Sequence, residues 1–313
     1  MNWKLKARIQ KAISLLPDGL SYDANYTLQR WLGQLRNPDP VHALMGGVGA
    51  MDRIVGQGQS IESKAVLEIG TGLRLNVPIA LWLCGAARIV TVDLNPYLRP
   101  KYVMSDVSHI RANRDKIIEI FGRHAERPVF RERFNWLCEA CTDMPALLKA
   151  ANIQYKAPAD AANLDMESHS IDYHVSHAVL EHIPAGVILA ILAEGKRVLK
   201  EDGLFLHNVD FSDHFSKSDP AITMINFLQF SEEEWKRYGG NRYAYVNRLR
   251  VDDYVELFGK AGLKIVSMNC DTDARSAEAL AQGFPLAEKF RAKSPDVLAT
   301  ITAWIVAKAL RPA

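Results

Sequence analysis

The segment Val66-Leu67-Glu68-Ile69-Gly70-Thr71-Gly72, followed a helix later by Ile89-Val90-Thr91-Val92-Asp93, constrains this chain more than any other feature. The apolar run through Glu68 reads as a strand, and the two glycines read as a tight turn. Val77-Pro78-Ile79-Ala80-Leu81-Trp82-Leu83 reads as the next helix, and a second β-branched strand ends in Asp93. Strand, turn, helix and strand make a βαβ unit, the start of a helix-covered sheet. Glycine at 70 and 72 lets backbone approach a ligand, because a Cβ there would collide with it. Asp93 falls about 20 residues beyond the turn, where a carboxylate accepts hydrogen bonds from ribose hydroxyls. The unit therefore reads as the nucleotide-binding part of the sheet.

The turn also says which nucleotides fit poorly. Reading from Gly70 gives Gly-Thr-Gly-Leu-Arg-Leu, so Leu75 stands where a dinucleotide fingerprint has its third glycine, and no phosphate-binding lysine follows. A carboxylate at Glu68 would repel a pyrophosphate but suits the ammonium of an amino acid. E-x-G-x-G followed by V-x-V-D resembles motif I and the second-strand acid of the class I S-adenosylmethionine-dependent methyltransferases. A second block, Asp160-Ala161-Ala162-Asn163-Leu164 and then the stretch from Ile171 to Pro184, resembles that family's D-A-x-x-L and F-D-x-V-x-S-x-x-V-L-E-H-I-P segment. Ile171 replaces the usual Phe, and His174 replaces the usual Val. Arg197-Val198-Leu199-Lys200-Glu201-Asp202-Gly203 resembles the R-V-L-K-x-G-G element, with Asp202 for its first glycine.

The resemblance covers residues 62–210 well and 249–310 loosely, and it is strongest to methyltransferases of type 11. It implies a Rossmann-like, seven-stranded α/β sheet and S-adenosylmethionine as cofactor. The cofactor residues it implies are Glu68, Gly70, Thr71, Gly72, Asp93, Leu94, Asp160, Ala161 and Ser176. Asp160 is expected beside the adenine amino group, and the strand through Ser176 below the methionine part. The loop after the fifth strand loosely resembles methyltransferases associated with bacterial glycan biosynthesis, which implies a glycan or small-molecule acceptor.

The expected organisation is a helical N-terminal lid over residues 1–60 and a methyltransferase domain over 61–313. Two insertions, at about 96–155 and 208–248, exceed what a plain doubly wound fold needs. In the first helix Trp3, Leu5, Ile9, Ile13 and Leu16 recur at helical spacing, with Lys4, Lys6, Arg8 and Lys11 mostly off that stripe. The stripe predicts packing on the domain, with a membrane-surface helix as the alternative. A second helix, around 25–35, is expected to stop at Asn37-Pro38-Asp39-Pro40. Gly46, Gly47 and Gly49 have no strand before them and read as close helix packing.

Methyl transfer is a displacement at a sulfonium methyl, and a hydroxyl acceptor must also lose its proton. The candidate bases are His177, Asp210 and His214, all just past strand ends. Asp210 and His214 rank ahead of His177, because the loop after the fifth strand is free to meet an acceptor. Asp210, Asp213 and His214 also suit Mg²⁺ or Mn²⁺. His174 reads as a hydrogen-bonded core histidine and His182 as a structural one. Arg248, Arg250, Lys236 and Arg237 read either as contacts for an acidic acceptor or as a solvated face. Cys138 and Cys141 lack the partners of a zinc site.

A net charge of +2 exerts no pull toward nucleic acid, and no RNA-recognition signature is present. No apolar run reaches the ~18 residues of a membrane span. Four cysteines are too few for a disulfide scaffold, so a reducing cytoplasm is expected. The expected function is O-methylation of a sugar or other small-molecule hydroxyl, with N- or C-methylation as the nearest alternative. Two readings of other classes are a nicotinamide or nucleotide-sugar oxidoreductase and a non-catalytic cofactor-binding scaffold. The oligomeric state is not legible.

Overall fold

A computed structural model describes residues 1–32 and 40–310. The chain runs α1 (Trp3–Ser14), α2 (Asp18–Leu32), α3 (Val41–Gly56), β1 (Ala65–Ile69), α4 (Asn76–Leu83), β2 (Arg88–Val92), α5 (Pro100–Ala112), α6 (Arg114–Phe121), α7 (Pro128–Glu139), α8 (Met144–Ala150) and β3 (Ile153–Lys156). It continues β4 (Ile171–His177), α9 (Ala185–Val198), β5 (Leu199–Asp210), α10 (Glu232–Gly239), α11 (Val251–Lys260), β6 (Leu263–Thr272), α12 (Ala274–Ala281), α13 (Pro295–Ala299) and β7 (Thr300–Ala309). The expected stop of the second helix at 37–39 lies outside the described residues.

Among the described residues the strands form one seven-stranded sheet in the order β3-β2-β1-β4-β5-β7-β6. The first five are parallel, and β7 runs antiparallel to both β5 and β6. This is the expected Rossmann-like α/β sheet closed by an antiparallel hairpin. Strand alternation builds the layers, because successive side chains point to opposite faces. Val66, Ile89 and Leu204 pack with Met51 of α3 and Ile79 of α4 on one face. Their neighbours Leu67, Val90 and Phe205 pack with Ile188 of α9 and Phe258 of α11 on the other. A third cluster, around Trp3, Phe227 and Trp235, joins α1 to the segment after β5.

Three expectations need correction. The region 96–155 is helical through α5 to α8, but its last residues form β3 at the sheet edge. Four residues are too short to show a period, and they follow directly on a helix. The second insertion starts later than 208, because β5 continues to Asp210 in register with β7. The third concerns α1, which buries Trp3, Lys6, Ala7 and Gln10 and leaves Leu5 51% exposed. The helix is thus rotated from its apolar stripe toward the polar wall of a pocket, which Lys6 and Gln10 line. The glycines of α3 do pack closely. A Cβ at Gly46 would meet the His177 ring at 2.5 Å, one at Gly47 the Ala80 methyl at 2.4 Å, and one at Gly49 the Trp304 ring at 2.8 Å.

Candidate active site

The C-terminal ends of β1, β2 and β4 open into a cavity of about 1380 Å³. Gly70 and Gly72 both adopt positive φ, at +85° and +65°, where glycine is the residue without a Cβ penalty. A Cβ on Gly70 would strike Val179 at 2.5 Å, whereas one on Gly72 would meet only open space. The turn is therefore shaped partly by packing and partly by the cavity it faces. The Gly72 N–H donates to Asp93 Oδ2 at 2.8 Å, and the Asn95 N–H donates to Oδ1 at 2.9 Å. Burial raises the Asp93 carboxyl, and these two amides oppose the rise. Asp160 accepts from the Ala162 N–H at 2.8 Å. Asp93, Leu94, Asp160 and Ala161 line the cavity together with both glycines.

Glu68, Thr71 and Ser176 lie under this surface rather than on it. Glu68 pairs across the sheet with Thr91, whose hydroxyl donates to Glu68 Oε2 at 2.5 Å. Thr71 and Thr91 hydroxyls are 2.6 Å apart, so Thr71 donates to Thr91 and completes a relay. Burial pushes the Glu68 carboxyl up to about 8, eased by Thr91 and worsened by Asp93. Through Thr91 and Thr71, Glu68 is tied to the base of the glycine turn. Ser176 is correspondingly held by His207 Nδ1 at 2.7 Å, both fully buried. His174 meets His207 edge-on, with Nδ1 3.3 Å from His207 Nε2, the core histidine expected.

The three candidate bases separate. His177 lines the large cavity, while Asp210 and His214 line a second pocket of about 310 Å³. Burial pulls His177 down to about 4, with His42 adding to the effect, so its ring is neutral near pH 7. Asp210 accepts from the Ser212 N–H at 2.8 Å, from the Ser212 hydroxyl at 2.6 Å and from Lys217 Nζ at 2.6 Å. Burial alone would raise its carboxyl, but His214 and Lys217 hold it well below the usual range. A carboxylate so committed is a weak base. Asp213 is fully buried and accepts from the Phe215 N–H and from Asn226 Nδ2 at 2.9 and 3.0 Å. The expected metal set of Asp210, Asp213 and His214 is therefore not gathered. The grouping that does occur among the described residues is Glu181, His182 and His214.

Sequence reasoning also missed much of the far wall. From α2 come Tyr22, Asn25, Tyr26 and Thr27, and the loops add Tyr97, Tyr243 and Tyr245. Tyr22 packs edge-on to Tyr97 at 5.3 Å, and Tyr26 lies 4.8 Å from Tyr102. The Ser21 and Tyr243 hydroxyls are 2.6 Å apart. The spacing of these tyrosines in sequence carries no signal, because they meet only across the cavity. Arg248 and Arg250 are buried, while Lys236 and Arg237 are exposed on α10. The two arginines donate to backbone carbonyls instead of facing an acceptor.

Residues 122–207 match the family model described as a methyltransferase domain. No curated protein matches the sequence. The fold is similar to a SAM-dependent methyltransferase from Methanosarcina mazei, at 14% identity over 83% of this chain and 98% of that one, TM-score 0.47. It is also similar to phosphoethanolamine N-methyltransferase 2 of Haemonchus contortus, at 16% identity over 91% of this chain and 59% of that one, TM-score 0.47. No helix among the described residues is long and apolar enough to cross a membrane. A glycine turn facing a strand-end carboxylate across such a cavity is a place for a nucleoside, which fits the S-adenosylmethionine of a methyltransferase domain, the domain whose model residues 122–207 match.

Proposed function

We propose that this chain is an S-adenosylmethionine-dependent methyltransferase that acts on a hydroxyl of a sugar or other small metabolite. One observation carries the reading. The cavity of about 1380 Å³ exceeds the ~300–1,000 Å³ of a typical single-ligand site, and its wall away from the glycine turn is built largely of tyrosines. Tyrosine offers a flat apolar face and a hydroxyl on one side chain, which suits the C–H faces and hydroxyls of a sugar. Arg242 is stacked over Tyr22 and Tyr243 and donates to the Ser14 and Leu16 carbonyls, so it braces this wall. On this reading residues 1–60 serve as a lid, with α2 covering the acceptor.

S-adenosylmethionine, when bound, supplies an electrophilic methyl. Gly70, Gly72 and Leu94 would form its bed, Asp93 would accept from the ribose hydroxyls, and Asp160 with Ala161 would flank the adenine. His177 has a neutral ring on the cavity wall and would take the acceptor proton, which becomes strongly acidic as oxygen gains the methyl. The test is turnover with a panel of sugars, nucleotide sugars and small amines, with product linkage read by NMR. A methyl ether is expected. Turnover confined to amines would overturn the hydroxyl reading.

Two substitutions test the site residues. Asp93→Ala should weaken S-adenosylhomocysteine binding by about 1.5–3 kcal/mol in calorimetry, the range for a hydrogen bond to a charged group. Unchanged affinity would remove Asp93 from the ribose site. His177→Gln should leave that affinity near wild type and lower kcat by about a hundredfold, the low end of general-base contributions. Wild-type kcat would leave proximity as the whole of the catalysis.

A further inference from the structure

The second pocket adjoins the large cavity and shares Ala178, His182 and Tyr243 with it. Glu181, His182 and His214 meet there, and one ligand atom from each lies within 4.8 Å of the other two. Glu181 is 3% exposed, and neither of its carboxylate oxygens has a hydrogen-bond partner among the described residues. A carboxylate taken out of water without partners is costly, and proteins resolve that cost by pairing it, protonating it or giving it a metal. His182 is already oriented as a ligand would be. Its Nδ1 lies 2.8 Å from the Tyr245 carbonyl oxygen, so Nδ1 carries the proton and Nε2 keeps its lone pair. The His214 ring stands 5.0 Å from the His182 ring, and Asp210 backs it, Nε2 to Oδ2 at 3.3 Å.

We infer that Glu181, His182 and His214 bind a divalent transition-metal ion, of which Mn²⁺ is the working example, in the wall between the two cavities. One carboxylate and two imidazoles leave open coordination positions, and the set is too nitrogen-rich for Mg²⁺ or Ca²⁺ and lacks thiolate. The nearby lysines do not forbid a cation. Lys217 Nζ is 2.6 Å from Asp210 Oδ2, and Lys6 Nζ donates to the Ser218 hydroxyl at 3.0 Å. From this wall the ion reaches the acceptor side of the large cavity, where it would hold an acceptor oxygen and make its proton easier to lose. That role rests on the hydroxyl reading above, whereas the ion site does not.

The experiment is an electron paramagnetic resonance titration of the full chain with Mn²⁺, without cofactor or acceptor. One bound Mn²⁺ per chain is expected. Glu181→Gln keeps the shape and removes the charge, and His214→Ala removes one ligand from a half-buried position. Each should weaken Mn²⁺ binding by at least about tenfold, the smallest effect usual even for residues that only support ligands. S-adenosylhomocysteine affinity and the thermal midpoint without metal report that each variant is folded. If Glu181→Gln does not fold, His214→Ala carries the test. No binding below millimolar Mn²⁺, or wild-type affinity in the folded variants, overturns the site. Mn²⁺ binding without turnover of any hydroxyl acceptor leaves the site standing and rejects the hydroxyl reading.

Discussion

Trp3→Ala is expected to cost about 3–5 kcal/mol of stability, the range for removing a large aromatic from a packed cluster. The Trp3 ring lies 5.7 Å from Phe215, 5.7 Å from Phe230 and 4.8 Å from Tyr238, and it stacks at 6.4 Å on Trp235. Its backbone N–H donates to Asp219 Oδ2 at 2.9 Å, which ties the start of α1 to the segment after β5. Because α1 also carries Lys6 and Gln10 into the second pocket, the loss should reach function. Acceptor turnover should fall more than S-adenosylhomocysteine affinity. Urea unfolding checks the first part, read as a lower midpoint at unchanged slope. A change under about 1 kcal/mol would mean that α1 contributes little to the body of the protein. If vesicle binding is lost instead and turnover is kept, the helix belongs to a membrane surface.

Arg250→Ala is expected to be as damaging, at about 3–5 kcal/mol or with loss of folded protein. Arg250 is fully buried, and its guanidinium donates to the Phe211 carbonyl at 2.7 Å, to the Leu298 carbonyl at 2.9 Å and to the Thr300 carbonyl. It thereby joins the loop after β5 to α13 and β7. Removing it orphans buried acceptors, at ~1–3 kcal/mol each, and leaves a void. Burial pulls the guanidinium down to about 10, with Asp252 and Asp253 opposing, so it remains charged at neutral pH. Arg250→Lys should recover only part of the stability, since one ammonium cannot reproduce the planar fork. Thermal unfolding decides the matter. A change within about 0.5 kcal/mol, as for a surface residue, would return Arg250 to the acceptor-binding role its sequence position allows.

Arg250 shows why the acceptor side was harder to read than the cofactor side. A basic residue near a strand end looks alike in sequence whether it faces a ligand or three carbonyls. The stripe on α1 misled for the same reason. Helical spacing says which residues share a face, but the protein turned inward the face that holds Lys6 and Gln10. Glu68 was found as a motif residue, yet its relay through Thr91 and Thr71 depends on the register of β1 against β2.

What the sequence determined by itself was local. The β1–turn–α4–β2 unit, the glycines at positive φ, the acid at the end of β2 and the strand through Ser176 each follow from backbone and side-chain demands within a few consecutive residues. Those demands were enough for the sheet and the cofactor. Tertiary structure alone decided which groups meet. Glu181 and His214 are separated in the chain by all of α9 and β5, and the tyrosine wall draws on α2, α5 and two loops. Such meetings are settled by how helices pack across the sheet, and packing energy is spread over many contacts with no periodic trace in sequence. The glycine turn and the acid at the end of β2 were therefore legible before the fold was known, whereas the tyrosine wall became legible only with it.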